Sequence, residues 1–147
     1  MAAHVDVSGS VRVAAPPDGA FRFFTPEGER LYVAGWAPEY LHPVDGSLVE
    51  GLTFRTHHGG EETLWLVSRC DVPREVDYIR VTPGSRMGVV SVRLTAAGAD
   101  TSEVRVRYRL TSLSAAGDAT LDAFASAFQD HLASWERSID ALLAAGR

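Results

Sequence analysis

Six consecutive residues, His57-His58-Gly59-Gly60-Glu61-Glu62, put four metal-ligand side chains into one short stretch. Zinc needs three or four such groups converging on one point. Here the Gly-Gly pair sits between two runs of alternating apolar and polar residues, where it predicts a two-residue hairpin turn. The period of two then sends one His and one Glu to each face, with opposite charges pairing across the turn. Two ligands per face make a poor zinc site, so no metal is expected. His131 is a better candidate for chemistry. It borders an apolar helical stripe beside Phe124 and Trp135, where an imidazole that titrates near neutrality can meet a ligand.

Tyr78 and Arg80 share one face of a strand, opposite Ile79 and Val81. The Gly59-Gly60 turn puts Phe54 and Trp65 on a common side. Whether Arg80 joins them depends on the register of the next hairpin, because a one-residue slip reverses every side chain. An inward Arg80 would hold a carboxylate or enolate. An outward Arg80 is a solvated surface charge, and that is the simpler expectation. Cys70, at its strand's end, is expected to be a buried thiol, with no histidine placed to make a Cys-His pair.

Other signatures are absent from the sequence. It has no G-x-S-x-G elbow, no G-x-G-x-x-G loop, no H-E-x-x-H and no carboxylate pair spaced for glycoside hydrolysis. All fourteen basic residues are Arg, which removes a Schiff-base or Walker lysine, and a lone cysteine excludes an internal disulfide. A net charge of -5 argues against nucleic acid, which selects clustered positive charge. Met1–Val7 lacks the basic start and apolar run of a secretory signal, and no apolar run approaches a membrane span, so a cytoplasmic location is expected.

The elements that must position these residues follow from periodicity. At 147 residues the chain suits a single domain, 1–147, able to bury a real core. Residues 4–14 alternate around Val5, Val7, Val11 and Val13, with Gly9 predicting a bulge. After Pro16-Pro17, Phe21, Phe24 and Leu31 fall at helical spacing, and breaks at Thr25-Pro26 and Glu27-Gly28 predict two short helices. "EYLHP" reads as a short strand. Five further strand-like runs follow, separated by turns at Gly59-Gly60, Val72-Pro73-Arg74, Gly84-Ser85 and Gly98-Ala99-Asp100. In the last, Val104, Val106, Tyr108 and Leu110 oppose Glu103, Arg105, Arg107 and Arg109, so one sheet face is wet and one covered. In the final segment Leu121, Phe124, Phe128, Leu132, Trp135, Ile139 and Leu142 form one helical stripe. That helix is the only element long enough to cover the dry face, and a curled sheet around one helix leaves a hollow.

This order resembles the START-like (SRPBCC, helix-grip) superfamily, which includes polyketide cyclases and Hsp90-ATPase-activator-like proteins. The resemblance is carried by "VRVAAPPDGAFRFFT", "ERLYVAGWAPEY", "EGLTFRT", "TLWLVSRCD", "YIRVTPGSRMG" and the closing Trp-bearing helix. It implies an α+β helix-grip fold: a curved antiparallel sheet of six or seven strands around a long C-terminal helix, with two short helices after the first strand. It also implies a cavity for a small hydrophobic or amphipathic ligand, lipid-like or polyketide-like, without a cofactor. Trp36, Phe54, Trp65, Tyr78, Tyr108, Phe124, Phe128, His131 and Trp135 are the expected ligand-binding residues, with His131, Tyr78 or Tyr108 orienting a polar group. The alternatives are a cyclase or dehydratase using a cavity His or Tyr as general acid or base, and a protein-binding module like the Hsp90 activators. The oligomeric form is left open, a homodimer included.

Overall fold

The period-two runs pair into one seven-stranded sheet in a computed structural model that describes residues 3–147. Residues 1 and 2, part of the start read above for a leader, lie outside the described residues. The strands are β1 (His4–Val13), β2 (Glu39–His42), β3 (Thr53–His58), β4 (Glu61–Asp71), β5 (Glu75–Thr82), β6 (Arg86–Gly98) and β7 (Thr101–Ser112). They lie in the order β1-β7-β6-β5-β4-β3-β2, every neighbouring pair antiparallel. Consecutive hairpins thus run from β2 to β7, and β1 closes the far edge.

The terminal helix, α3 (Ala115–Ala144), spans 30 residues, or ~45 Å at 1.5 Å per residue. Ser114 caps its start by accepting from the Gly117 N–H at 3.0 Å. Leu121, Phe128, Leu132 and Ile139 are buried, and Phe124, Trp135 and Leu142 are partly so. This is the helix-grip arrangement. No helix among the described residues is long and apolar enough to cross a membrane.

Two glycines act differently from the sequence expectation. At Gly9 there is no bulge, since β1 pairs with β7 in unbroken register from His4 to Val13. Its missing side chain instead admits the helix: a Cβ there would lie 2.6 Å from Leu132 Cδ1. Nor does Glu27-Gly28 interrupt a helix. The segment is α1 (Pro17–Ala20), a 3-10 turn over Phe21–Phe24, and α2 (Pro26–Glu29), with the break only at Thr25, whose hydroxyl accepts from the Gly28 N–H at 3.0 Å. Gly28 lies inside α2, pressed against the preceding turn.

The outer face of the sheet carries ion pairs such as Arg107–Asp6 at 2.7 Å, exposed enough to contribute little, and Arg93–Asp77 at 2.6 Å, whose carboxylate is mostly covered. Beside them, Leu64, Val81 and Met87 align across β4, β5 and β6, as do Leu66, Ile79 and Val89.

A Cβ on Gly28 would fall 1.6 Å from the Arg22 carbonyl oxygen. Helix propensity alone predicts that Gly28→Ala gains about 1 kcal/mol. Backbone crowding predicts the opposite, a loss of about 2–3 kcal/mol, which urea unfolding of the variant will read directly.

Candidate functional site

Two adjoining hollows lie under the sheet. The deeper chamber encloses about 140 Å³, close to the roughly 150 Å³ engineered cavities that hold one benzene ring. An outer chamber of about 500 Å³ opens beside it. Val33, Trp36, Trp65, Arg80, Tyr108 and Trp135 line both.

Of the nine residues singled out by sequence, Phe54 and Tyr78 face the inner chamber, and Phe124, Phe128 and His131 the outer. Trp36, Trp65, Tyr108 and Trp135 stand where the two meet. The predicted β3–β4 turn sets the first pair: Phe54 is directly opposite Trp65, and their rings stack at 5.7 Å with 1° between planes. Trp36 meets Trp65 edge-on at 5.5 Å. A second group joins Tyr108, Phe124 and Phe128, with Tyr108–Phe124 centroids 4.9 Å apart. His131 is exposed at the rim, its ring 6.4 Å from that of Phe124.

The hairpin tip flanks the same rim. His57 pairs with Glu62 across the turn at 3.2 Å, while Glu61 pairs with Arg86 at 3.3 Å. Among the described residues, no three His, Cys, Asp or Glu side chains group as metal ligands. Cys70 departs from the expected burial. It is only partly covered at the β4 end, and burial with neighbouring Glu50 and Asp71 raises its thiol.

Arg80 overturns the outward expectation. Trp65 is directly opposite Arg80, because the register shift between Val67 and Arg69 falls between the β4–β5 turn and this pair and brings Arg80 to the Trp65 face. Its guanidinium lies 4.8 Å from the Trp65 ring centroid, and one N–H reaches the Thr82 hydroxyl at 3.3 Å. The Nε–H is buried with no partner. Burial lowers the group to about 10, so it stays charged at neutral pH. A cation–π contact of about 2 kcal/mol does not offset the several kcal/mol needed to desolvate an ion. The guanidinium lines both chambers, and no carboxylate among the described residues makes an ion pair with it.

Most other polar groups in the wall are occupied. Tyr78 donates to the Phe24 carbonyl at 2.9 Å, Tyr32 to Phe23 at 2.6 Å, Trp36 to Pro26 at 2.8 Å and Trp65 to the Thr56 hydroxyl at 3.0 Å. Tyr78 is thus spent as a donor and serves as wall. Tyr108 differs: burial and the nearby Glu29 charge raise its phenol, and no hydrogen bond among the described residues engages its hydroxyl.

Glu29 is the residue that sequence reading missed. It ends α2 and faces the inner chamber, where burial without a compensating partner raises its carboxyl from 4.5 to about 8. A signal was present: Glu29 stands three, four and seven residues before Tyr32, Val33 and Trp36, on the apolar face of that segment.

No protein-family model matches the chain, and no curated protein matches it. Solved structures do share its fold. Norcoclaurine synthase from Thalictrum flavum, in complex with dopamine and hydroxybenzaldehyde, superposes with a TM-score of 0.70 at 12% identity, over 99% of this chain and 90% of that one. An uncharacterized protein from Rhizobium leguminosarum gives 0.69 at 12%, over 95% and 97%. DynU16, from the dynemicin biosynthetic locus, gives 0.62 at 20%, over 92% of this chain and 47% of its own. At these identities the likeness establishes the helix-grip fold of START-like proteins and nothing finer.

Glu29 makes stability depend on pH with a definite sign. Unfolded, the carboxyl ionises near 4.5; folded, it keeps its proton to about 8. Across that window the native state binds more protons, so stability falls as pH rises. Glu29→Gln removes the slope. The variant should match the wild type near pH 4 and exceed it near pH 9, by on the order of 2–3 kcal/mol once screening by water in the hollow is allowed for. Urea unfolding of both proteins across that range measures the difference.

Proposed function

We propose that this chain binds a small, largely apolar, ring-containing molecule with one acidic or carbonyl oxygen. The rings occupy the aromatic hollow and the oxygen lies on Arg80. The single observation carrying this reading is the buried Arg80 guanidinium, which lines both chambers and makes no ion pair among the described residues. Transfer of apolar ligand surface out of water, about 25 cal/mol per Å², supplies most of the affinity. A charge-assisted hydrogen bond to Arg80 supplies orientation.

One structural relative supports an aromatic guest: norcoclaurine synthase holds dopamine and hydroxybenzaldehyde on the same fold. The cyclase- or dehydratase-like alternative draws on Glu29 and Tyr108, which face the chamber beside Arg80. A protein-binding module would be sought on the open aliphatic rows of the outer sheet face, where Leu64, Leu66 and Met87 are 37–42% exposed.

The test is calorimetric titration with 2-naphthoate and its methyl ester. Wild-type protein should bind the anion more tightly. Arg80→Met should weaken naphthoate by about 10–100-fold, the 1.5–3 kcal/mol of a hydrogen bond to a charged group, and change the ester little. His131→Phe, at the rim, should weaken both modestly with folding intact. Equal naphthoate affinity in wild type and Arg80→Met would overturn the assignment.

A further inference from the structure

The outer face of the sheet keeps an aliphatic block that nothing in the chain covers. Leu64, Val81 and Met87 stand side by side on β4, β5 and β6, and Leu66, Ile79 and Val89 form the adjoining row. Leu64, Leu66 and Met87 are exposed, and the other three are half-buried only by their neighbours in the sheet. A sheet with one solvated face places polar residues at such positions, and contiguous exposed apolar patches mark contact surfaces.

The sheet edges compete poorly for a partner. β1 is engaged by Glu136 and Gln129 of α3, and β2 is four residues long with a register shift between Tyr40 and His42, both of which blunt strand-to-strand pairing. The two flanks of the block differ in charge. On the β2–β3 flank, Arg55 lies between Glu39 at 2.9 Å and Glu62 at 3.9 Å, two carboxylates around one guanidinium. On the β7–β1 flank, Arg105, Arg107 and Arg109 stand with Asp6 and Glu103, three guanidiniums with two carboxylates.

We propose that this face binds a second copy of the chain, the two sheets packing face to face about a two-fold axis that runs close to β5. Rotation about that axis lays β4 of one copy over β6 of the other, so Leu64 meets Met87 and Leu66 meets Val89. Val81 and Ile79 lie near the axis and meet their own counterparts, as an isologous contact requires. The same rotation sets the acidic β2–β3 flank of each copy over the arginines of its partner's β7. A two-fold running across the strands would stack arginine flank on arginine flank, so charge selects the first arrangement. Five strands about 4.8 Å apart, each about eight residues long at 3.3 Å per residue, present on the order of 600 Å². That approaches the roughly 800 Å² per partner of a stable complex. With a small aliphatic centre and a charged rim, the pair forms at high concentration and separates on dilution. The aromatic chambers lie on the opposite face of the sheet and stay open in either form.

The test is sedimentation velocity of the full chain from micromolar to near-millimolar concentration. Wild-type protein should pass from monomer to dimer and go no further. Leu64→Lys or Met87→Glu alone should raise the dimer dissociation constant by about 10-fold or more, since each sets a charge against an apolar side chain. Combined in one chain, the two substitutions should restore dimer, because the axis brings them together between copies while β5 holds them apart within a chain. Both positions are exposed, and urea unfolding checks that the variants fold; the wild-type measurement stands without them. Wild-type protein that remains monomeric throughout overturns the proposal, whether or not it then binds anionic vesicles or another protein. Single variants that dimerise like the wild type, or a double variant no better than either single one, overturn it equally.

Discussion

Helix α3 is held to the sheet at its edge and not across its middle. β1 is an edge strand, so one row of its backbone groups lacks a strand partner, and the helix supplies partners. The Glu136 carboxylate accepts from the Arg12 N–H at 2.6 Å, and the Gln129 amide donates to the Ser8 carbonyl at 3.3 Å. Between these two tethers the bare backbone of Gly9 lets Leu132 approach. With its one long helix fixed along β1, the fold has little left to fill the concave side of β3 to β6. Aromatic side chains and the α1–α2 segment cover part of that area. The chambers are what they leave.

The same allocation explains the polarity of the hollow. Tyr32, Tyr78 and Trp36 all donate to carbonyls of the Phe23–Pro26 stretch. They thereby satisfy backbone groups that a tight helical turn leaves without partners, and they brace that turn against the sheet. Their rings are consequently structural at one end and lining at the other. Tyr108, Arg80 and Glu29 reach the same space without such an obligation, so the chamber's chemistry belongs to those three.

Periodicity made the frame legible in the sequence. Strand alternation, the Gly59-Gly60 turn and the seven-residue apolar stripe of α3 depend on local spacing, and local spacing is what a sequence displays. What escaped depends on contacts between distant segments. Gly9 reads as a bulge unless one knows that Leu132 crosses it. Gly28 reads as a helix breaker until Arg22 folds back against it. The direction of Arg80 was fixed by where a β-bulge fell between Val67 and Arg69, a choice among near-equal registers. Glu29 was hidden in a run of charged residues whose neighbours, Glu27 and Arg30, pair with each other at 2.9 Å at the surface. Only its helical phase relative to Trp36 set it apart.

A chamber lined by one uncharged acid and one cation has an electrical meaning for whatever enters. From mildly acidic to neutral solution the inner chamber carries a single positive charge, set in surroundings that screen it poorly. A protonated amine would be repelled there, whereas an enolate, a phenolate or a carboxylate would be drawn in.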